Sequence, residues 1–291
     1  MSARRVIEAG AVVASCLAVA TAIAWAGSRG GTSVLELPVL VWCAAIAFAV
    51  QWLAFVPAYI WQTERFYDLT GSVTYISVTL FALAAAGSRD SRSLVLALLV
   101  CVWAARLGTF LFRRIHAAGG DARFDGIKPI ASRFFVAWTL QGLWVFLTLC
   151  AALTAITTIA PAGFGVGDFV GLVVWATGFG IEVVSDRQKS AFRSTHPGRF
   201  VDTGLWAWSR HPNYFGEIVL WTGIAIIAAS TLRGWQWATM VSPVFVALLL
   251  TRISGVPILE RRADERWGDD PEYRRYKAQT PVLVPRPPRR G

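Results

Sequence analysis

Apolar residues come along this chain in long runs rather than in alternation. Eight stretches carry few or no charges: Val6–Ala26, Leu37–Val56, Ser72–Ala86, Leu94–Phe112, Phe134–Ile159, Asp168–Val184, Phe215–Leu232 and Trp237–Thr251. A helix rises about 1.5 Å per residue, so about 20 apolar residues cross a hydrocarbon core of about 30 Å. The runs therefore predict membrane spans. Ser72–Ala86 and Trp237–Thr251 are short for this, and seven spans result if one of them is re-entrant. Unpaired backbone groups are too costly in lipid for anything but helices or closed barrels, and the alternation of a barrel is absent. Pro57 and Pro161 fall just past apolar runs, where a missing N–H costs little. The pattern predicts an all-α polytopic membrane protein, a bundle of seven to eight transmembrane helices forming one integral domain. There is no internal repeat and no separate soluble part.

Composition agrees. The 291 residues are 55% hydrophobic and 16% charged, and the mean hydropathy is +0.50. A soluble domain carries about a quarter charged residues, so a disordered or fibrous chain is excluded. The net charge is +10, and only Lys128, Lys189 and Lys277 among the 28 basic residues are Lys. That Arg bias, with abundant Ala, fits a GC-rich bacterial gene. The basic residues collect in Arg113–Arg133, in Ser185–Tyr214 and after Thr251, whereas Ala160–Gly167 has none. The positive-inside rule then places both termini and all three basic regions in the cytoplasm, with a bacterial plasma membrane as the expected location. The positive excess suits membrane lipid or a phosphorylated cofactor. Nucleic acid is excluded as a partner, because no basic domain stands apart from the spans. Arg4 and Arg5 precede Val6–Ala26, and Ala24-Trp25-Ala26 mimics a cleavage site, but the run exceeds the usual signal core of about 7–15 residues. It reads as a retained first span. Cys16, Cys43, Cys101 and Cys150 all lie in apolar runs, so neither a disulfide framework nor a zinc site is indicated.

Ionisable residues in or beside spans are functional candidates by default, and five groups stand out on the cytoplasmic side. If the sixth span continues as a helix, Glu182, Asp186, Lys189 and Arg193 share one face. The acids of this stripe would accept from ribose hydroxyls or an amide, and the cations would bind phosphate. The same stripe also reads as a self-satisfied ladder of ion pairs. Gly204-Leu-Trp-Ala-Trp-Ser-Arg210-His211-Pro212-Asn213-Tyr214-Phe215-Gly216-Glu217 places Pro at the first position of a helix, whose N-terminus attracts phosphate. Asn213 and Glu217 face one way, as a ligand pair or a capped helix with Glu217 paired internally. Gly216 permits close approach of a helix or a ligand. The tail, from Glu260-Arg-Arg262 through Tyr273-Arg-Arg-Tyr276-Lys277 to Pro281 and Pro285, serves either the site or anionic lipid. Trp103, Arg106, Phe110 and Arg113 line one side of the fourth span, and Arg106 could snorkel to the interface. In Glu64-Arg-Phe-Tyr67-Asp68 a carboxylate and a phenol lie three apart, as proton donor and polariser or as a solvated loop. Gly167 and Gly171 form a small-xxx-small pair for helix contact. No P-loop and no GxGxxG between strand and helix occurs, and His116, His196 and His211 make no metal-ligand set.

The run Ser185-Asp186…Lys189…Phe192-Arg193, followed by Gly204-Leu-Trp…Ser209-Arg-His-Pro-Asn-Tyr-Phe-Gly-Glu217, resembles the steroid 5-alpha-reductase superfamily. It is most similar to the bacterial membrane proteins with a steroid 5-alpha-reductase-like C-terminal domain. Glu64-Arg-Phe-Tyr-Asp-Leu-Thr-Gly71 and Tyr273-Arg-Arg-Tyr276 match that branch too. The resemblance covers nearly the whole chain and is strongest from Trp175 onward. It implies an NADPH-dependent reductase of a C=C bond conjugated to a ketone, in a steroid-like or other lipid substrate. It implies further that residues 1–133 form the substrate pocket, entered from lipid, and 134–291 the cofactor region, with NADPH held between cytoplasmic helix ends. Asp186 and Arg193 match cofactor-contacting positions, and Asn213 and Glu217 match an Asn-x-x-Gly-Glu element near the nicotinamide. Glu182, Lys189, Arg210, His211, Tyr214, Tyr273, Tyr276, Arg106 and Arg113 complete the expected cofactor set, with no metal. Glu64 and Tyr67 are the expected catalytic pair. The chain departs from the pattern at three points: Glu182 stands where those enzymes have Asn, Ser190 where they have Arg, and Trp103 where a polarising Tyr is expected. An Arg-His-Pro-x-Tyr element and an acidic, Tyr-rich tail ending in Pro are also similar to isoprenylcysteine carboxyl methyltransferases, which use S-adenosylmethionine. Those lack the Ser-Asp…Arg stripe. A non-enzymatic membrane protein is the third alternative.

Overall fold

The computed structural model describes residues 3–87, 90–159 and 163–288. Within them the helices are α1 (Ala3–Gly27), α2 (Val39–Ile60), α3 (Tyr67–Ala85), α4 (Ser91–Ala118), α5 (Ala131–Thr157), α6 (Val166–Thr195), α7 (Pro212–Ala229), α8 (Val241–Leu248), α9 (Val256–Trp267) and α10 (Pro271–Gln279). The strands found there are one antiparallel pair, Ser33–Val34 with Leu37–Pro38. Eight helical stretches are long and apolar enough to cross a membrane, so the chain is an all-α polytopic membrane protein. The third span begins five residues before its apolar run, at Tyr67, and reaches 19 residues. The eighth is composite. A 3-10 segment, Gly234–Met240, leads into α8, a π-helical turn over Leu249–Ile253, and then α9, for 34 residues in all.

One expectation at a helix end needs correction. Helix α2 does not stop before Pro57 but carries it in its last turn and closes with Trp61 N–H donating to Pro57 O at 2.9 Å. A ring so near the helix end disturbs few bonds beyond the one it cannot donate. Helix α6 runs eleven residues past Val184, to Thr195. Pro161 lies outside the described residues. Local sequence accounts for other ends. Asp90 caps α4 by accepting from Arg92 N and Ser93 N, and Gly119 ends it in the left-handed region at φ +79°. Asp270 caps α10, with Pro271 at the first helical position.

The chain sorts into two compact units: Met1–Gly165 with Ala228–Ser242, and Val166–Ile227 with Pro243–Gly291. In the first, α5 is the pillar. Its apolar window is 83% buried against 11% for α1, so α5 packs on protein all round while α1 turns most of its surface to lipid. Close approaches set the helix pairs. A Cβ on Gly142 would sit 2.9 Å from Phe48, and one on Gly108 would meet Ser72 at 2.5 Å. Buried polar groups bond across helices, as Gln51 Nε2 does to Thr74 Oγ1 at 2.8 Å and Trp52 Nε1 to Thr139 Oγ1 at 3.0 Å. Near one end Ala58, Phe124, Phe134 and Trp138 form an aromatic-rich core with Phe55, Phe66 and Tyr67 against it.

In the second unit, α6 and α7 meet backbone to backbone. A Cβ on Gly171 would lie 2.7 Å from Gly223 O, and one on Gly216 would lie 2.6 Å from Gly178 O and 2.7 Å from Glu182 N. The contact pair on α6 is therefore Gly171 with Gly178, spaced seven, matched by Gly216 and Gly223 on α7. Gly167, the other half of the expected small-residue pair, has nothing within 4 Å.

Candidate functional site

In the second unit, the glycine contact stands the polar half of α6 beside the start of α7. Glu182, Ser185 and Asp186 are buried there. Asn213, at the second position of α7, donates from Nδ2 to Asp186 Oδ1 at 3.4 Å. Trp206 Nε1 donates to Ser185 O at 3.0 Å, and the Lys189 ammonium sits 4.3 Å above the Trp206 ring. Gln188 Oε1 accepts from Leu205 N at 2.9 Å. Gly204 takes φ +61° against that amide, where a side chain would collide. Arg193 is exposed on the same helix, and Glu217 is half-buried one turn after Asn213.

The element Arg210-His211-Pro212 forms a hub with the chain's last helices. Arg210 grips Glu260 with Nε at 3.2 Å and Nη2 at 2.9 Å, and gives Nη1 to Lys277 O at 2.5 Å and Thr280 O at 3.3 Å. His211 Nε2 lies 2.8 Å from the same Glu260. Lys277 Nζ reaches Glu260 at 3.6 Å and Asp264 at 2.5 Å. Tyr273 OH donates to Asp264 Oδ1 at 3.2 Å, and Tyr276 OH to Trp206 O at 2.8 Å. The tail straps this hub: Arg210 N donates to Pro281 O, Ser209 Oγ to Leu283 O, and Arg286 N to Trp208 O. Tyr214 stacks on His211, with ring centroids 5.7 Å apart at 12°. Burial holds the His211 imidazole below its ordinary pKa, with Lys189 and Arg210 adding to this and Glu260 opposing it. Burial pushes the Tyr273 and Tyr276 phenols up, so both are neutral donors.

The second unit thus gathers Glu182, Asp186, Lys189, Arg193, Arg210, His211, Asn213, Tyr214, Glu217, Tyr273 and Tyr276. Arg106 and Arg113 belong to the first. Arg106 lies 5.2 Å over the Phe110 ring, and Arg113 is exposed. Trp103 is buried edge-on against Tyr75, with centroids 5.1 Å apart at 85°. Glu64 and Tyr67 take different partners. Glu64 accepts from Asp121 N at 2.7 Å and Lys128 Nζ at 2.5 Å, on a cleft of about 510 Å³ that Arg65, Asp125 and Gly120 also line. Tyr67 OH donates to Ala137 O at 2.9 Å, amid Phe124 and Trp138. Either must exchange that partner to act on a substrate.

Three residues of the hub were outside the expected site set: Asp264, which the sequence did not single out, Ser209, named only within the Arg-His-Pro run, and Glu260, named only as the start of the tail and not as the hub's anion. Glu260 is 49 residues from His211. In an amphipathic tail rich in charge, no spacing sets it apart. The one available signal was a carboxylate among many cations.

A family profile described as "Protein of unknown function (DUF1295)" matches residues 54–280. An uncharacterized protein of Schizosaccharomyces pombe is 24% identical over 227 residues, which span 67% of this chain and 64% of that relative. The match thus covers less than two thirds of the relative's length. No solved structure matches.

Proposed function

The chain belongs to the DUF1295 family, and from that premise we propose that it is an NADPH-dependent membrane reductase of a C=C bond conjugated to a ketone in a lipid-like substrate. The observation that carries the reading is the contact of Asn213 with Asp186 at 3.4 Å. It joins the α6 stripe to the α7 N-terminus, the two stretches whose resemblance to steroid 5-alpha-reductases concerns NADPH. Buried carboxylates, cations and a helix N-terminus within one unit suit a molecule with hydroxyls, an amide and phosphates. Asp186, Asn213 and Glu217 would hold the amide and ribose side. Lys189 and Arg193 would meet phosphate, because the Arg210 fork is already taken by Glu260 and two carbonyls. Bound there, the dinucleotide would supply a hydride for the β-carbon of the enone. An acid at the ketone oxygen stabilises the developing enolate; of the two residues expected for this role, Tyr67 carries a proton to give, whereas Glu64 is a carboxylate paired with Lys128. The substrate enters from lipid, and both termini face the cytoplasm of a bacterial plasma membrane.

S-adenosylmethionine-dependent methyl transfer is the second reading. The hub favours it, since Arg210, His211, Tyr214 and Glu260 come from the Arg-His-Pro-x-Tyr element and the Tyr-rich, carboxylate-bearing tail similar to the methyltransferase type. Titrating the detergent-purified protein with NADPH, NADH and S-adenosylmethionine separates the two. The reductase reading expects NADPH to bind and raise the melting temperature. Arg193→Ala should weaken NADPH about tenfold to a hundredfold, the loss of one charge-assisted contact. Stabilisation by S-adenosylmethionine alone would favour methyl transfer. Glu217→Gln should keep the stability of the cofactor-free protein yet lose most turnover. A variant that melts early but turns over normally makes Glu217 structural.

A further inference from the structure

The two ring nitrogens of His211 have unequal surroundings. Nε2 lies 2.8 Å from Glu260 Oε1. Among the described residues Nδ1 has no hydrogen-bond partner, although the residue is only 5% exposed. A carboxylate can only accept, so Nε2 carries the proton and Nδ1 presents a bare lone pair. A buried acceptor with nothing donating to it can take a hydrogen bond from a water or a ligand. The ring cannot turn to find a donor. It is stacked on Tyr214, its own backbone N–H donates to Ser209 Oγ at 3.1 Å, and Glu260 is itself gripped by Arg210.

Resting on the dinucleotide reading above, we propose that His211 Nδ1 is a ligand-binding atom, accepting a hydrogen bond from an N–H or O–H donor of the bound dinucleotide. Glu260 is the positioning residue that fixes the acceptor tautomer. The donor is an amide, amino or ribose hydroxyl group, the neutral donors such a molecule carries. Protonation turns Nδ1 into a donor facing a donor, so binding requires the neutral ring. The groups around it are Glu260 from α9, which favours the proton, Lys189 from α6 and Arg210 ahead of α7, which oppose it, Lys277 from α10, which offsets Glu260, and the Tyr214 ring. Affinity is therefore level at neutral pH and falls about tenfold for each unit below the His211 pKa.

The test titrates the full-length detergent-purified protein with NADPH and with NADH between about pH 5 and pH 8. NADH lacks the 2′-phosphate, whose own titration near pH 6 would otherwise mix with that of the ring. Both dinucleotides should weaken as pH falls, and the NADH profile reports the ring alone. His211→Asn sets an amide oxygen at the Nδ1 position and cannot titrate, so it should bind within about threefold of wild type with a flat pH profile. His211→Gln can still donate to Glu260 but removes the acceptor, and should bind about tenfold more weakly. The opposite ranking, Gln tolerated and Asn not, would show that His211 serves only to hold Glu260 and would overturn the proposal. A wild-type NADH profile that stays flat across the His211 titration, followed by imidazole NMR on the same sample, overturns it too, with no variant required to fold. Dinucleotide binding without the pH slope removes this inference alone, whereas no dinucleotide binding at any pH removes the reductase reading and this inference with it.

Discussion

Glu64 shows how one residue ties two loops together. Its carboxylate, 5% exposed, joins the α2–α3 loop to the α4–α5 loop through Asp121 N and Lys128. Burial by itself would raise its pKa. The hydrogen bonds from Asp121 N and Lys128 and the ammonium charge outweigh burial, and the carboxyl lies below its ordinary value of 4.5. A depressed folded value means that the unfolded chain binds the proton first. The stabilisation is therefore present above about pH 4.5 and is lost as pH falls. Glu64→Gln can still accept from Asp121 N but leaves Lys128 facing a neutral amide. We expect a loss of about 1–3 kcal/mol near pH 7 and a flatter acid limb, read by thermal unfolding in detergent. An unchanged acid limb would show that Glu64 is not the group responsible. The glycine at position 204, by contrast, is explained by geometry alone: φ +61° with Gln188 across from it.

Among the elements, the α6–α7 pair decides whether the candidate site exists. Gly178 and Gly216 face each other so closely that a Cβ on Gly216 would meet Gly178 O at 2.6 Å, and one on Gly178 would run into the Leu220 amide. The obstructing atoms are backbone, so they cannot swing aside. Gly216→Ala should part the helices, cost about 1–3 kcal/mol and loosen Asp186 from Asn213. Gly180→Ala, on the same helix but facing open space, should cost nothing or stabilise slightly. Equal melting temperatures for the two variants would contradict the backbone contact. The spacing of seven was present in the sequence. The Gly167–Gly171 pair drew attention because four-residue spacing is the familiar one, but two helices that cross at a shallow angle meet every second turn as well.

For the whole molecule, the expected outcome concerns sidedness. If all eight candidate spans among the described residues cross the membrane, an even number puts both termini on one side. The basic regions argue that this side is the cytoplasm. In a variant with the native cysteines replaced, a cysteine at Gly163 should react with an impermeant reagent added outside whole cells, and one at Arg123 should react only after lysis. The reverse pattern would invert the protein. An odd number of crossings would show instead as a C-terminal reporter on the opposite side from the N-terminus.

Hydrophobicity along the chain was enough to determine the helical nature and approximate places of the spans, and their number to within one, because lipid leaves the backbone no other way to pair its polar groups. The one-face stripe Glu182–Asp186–Lys189–Arg193 was legible for a related reason: helical periodicity depends only on local geometry, once α6 is known to continue past Val184. Tertiary structure alone decided which partners those side chains meet. Arg210 and Glu260 are 50 residues apart, and His211 and Glu260 are 49. Tyr67 and Ala137 are 70 apart. Separations of that size leave no periodic trace, since a hydrogen bond forms from positions in space that only the packing of several helices brings together. The same packing clasps Arg210 to a carboxylate and two carbonyls, and among the described residues leaves one nitrogen of His211 without a hydrogen-bond partner beside it.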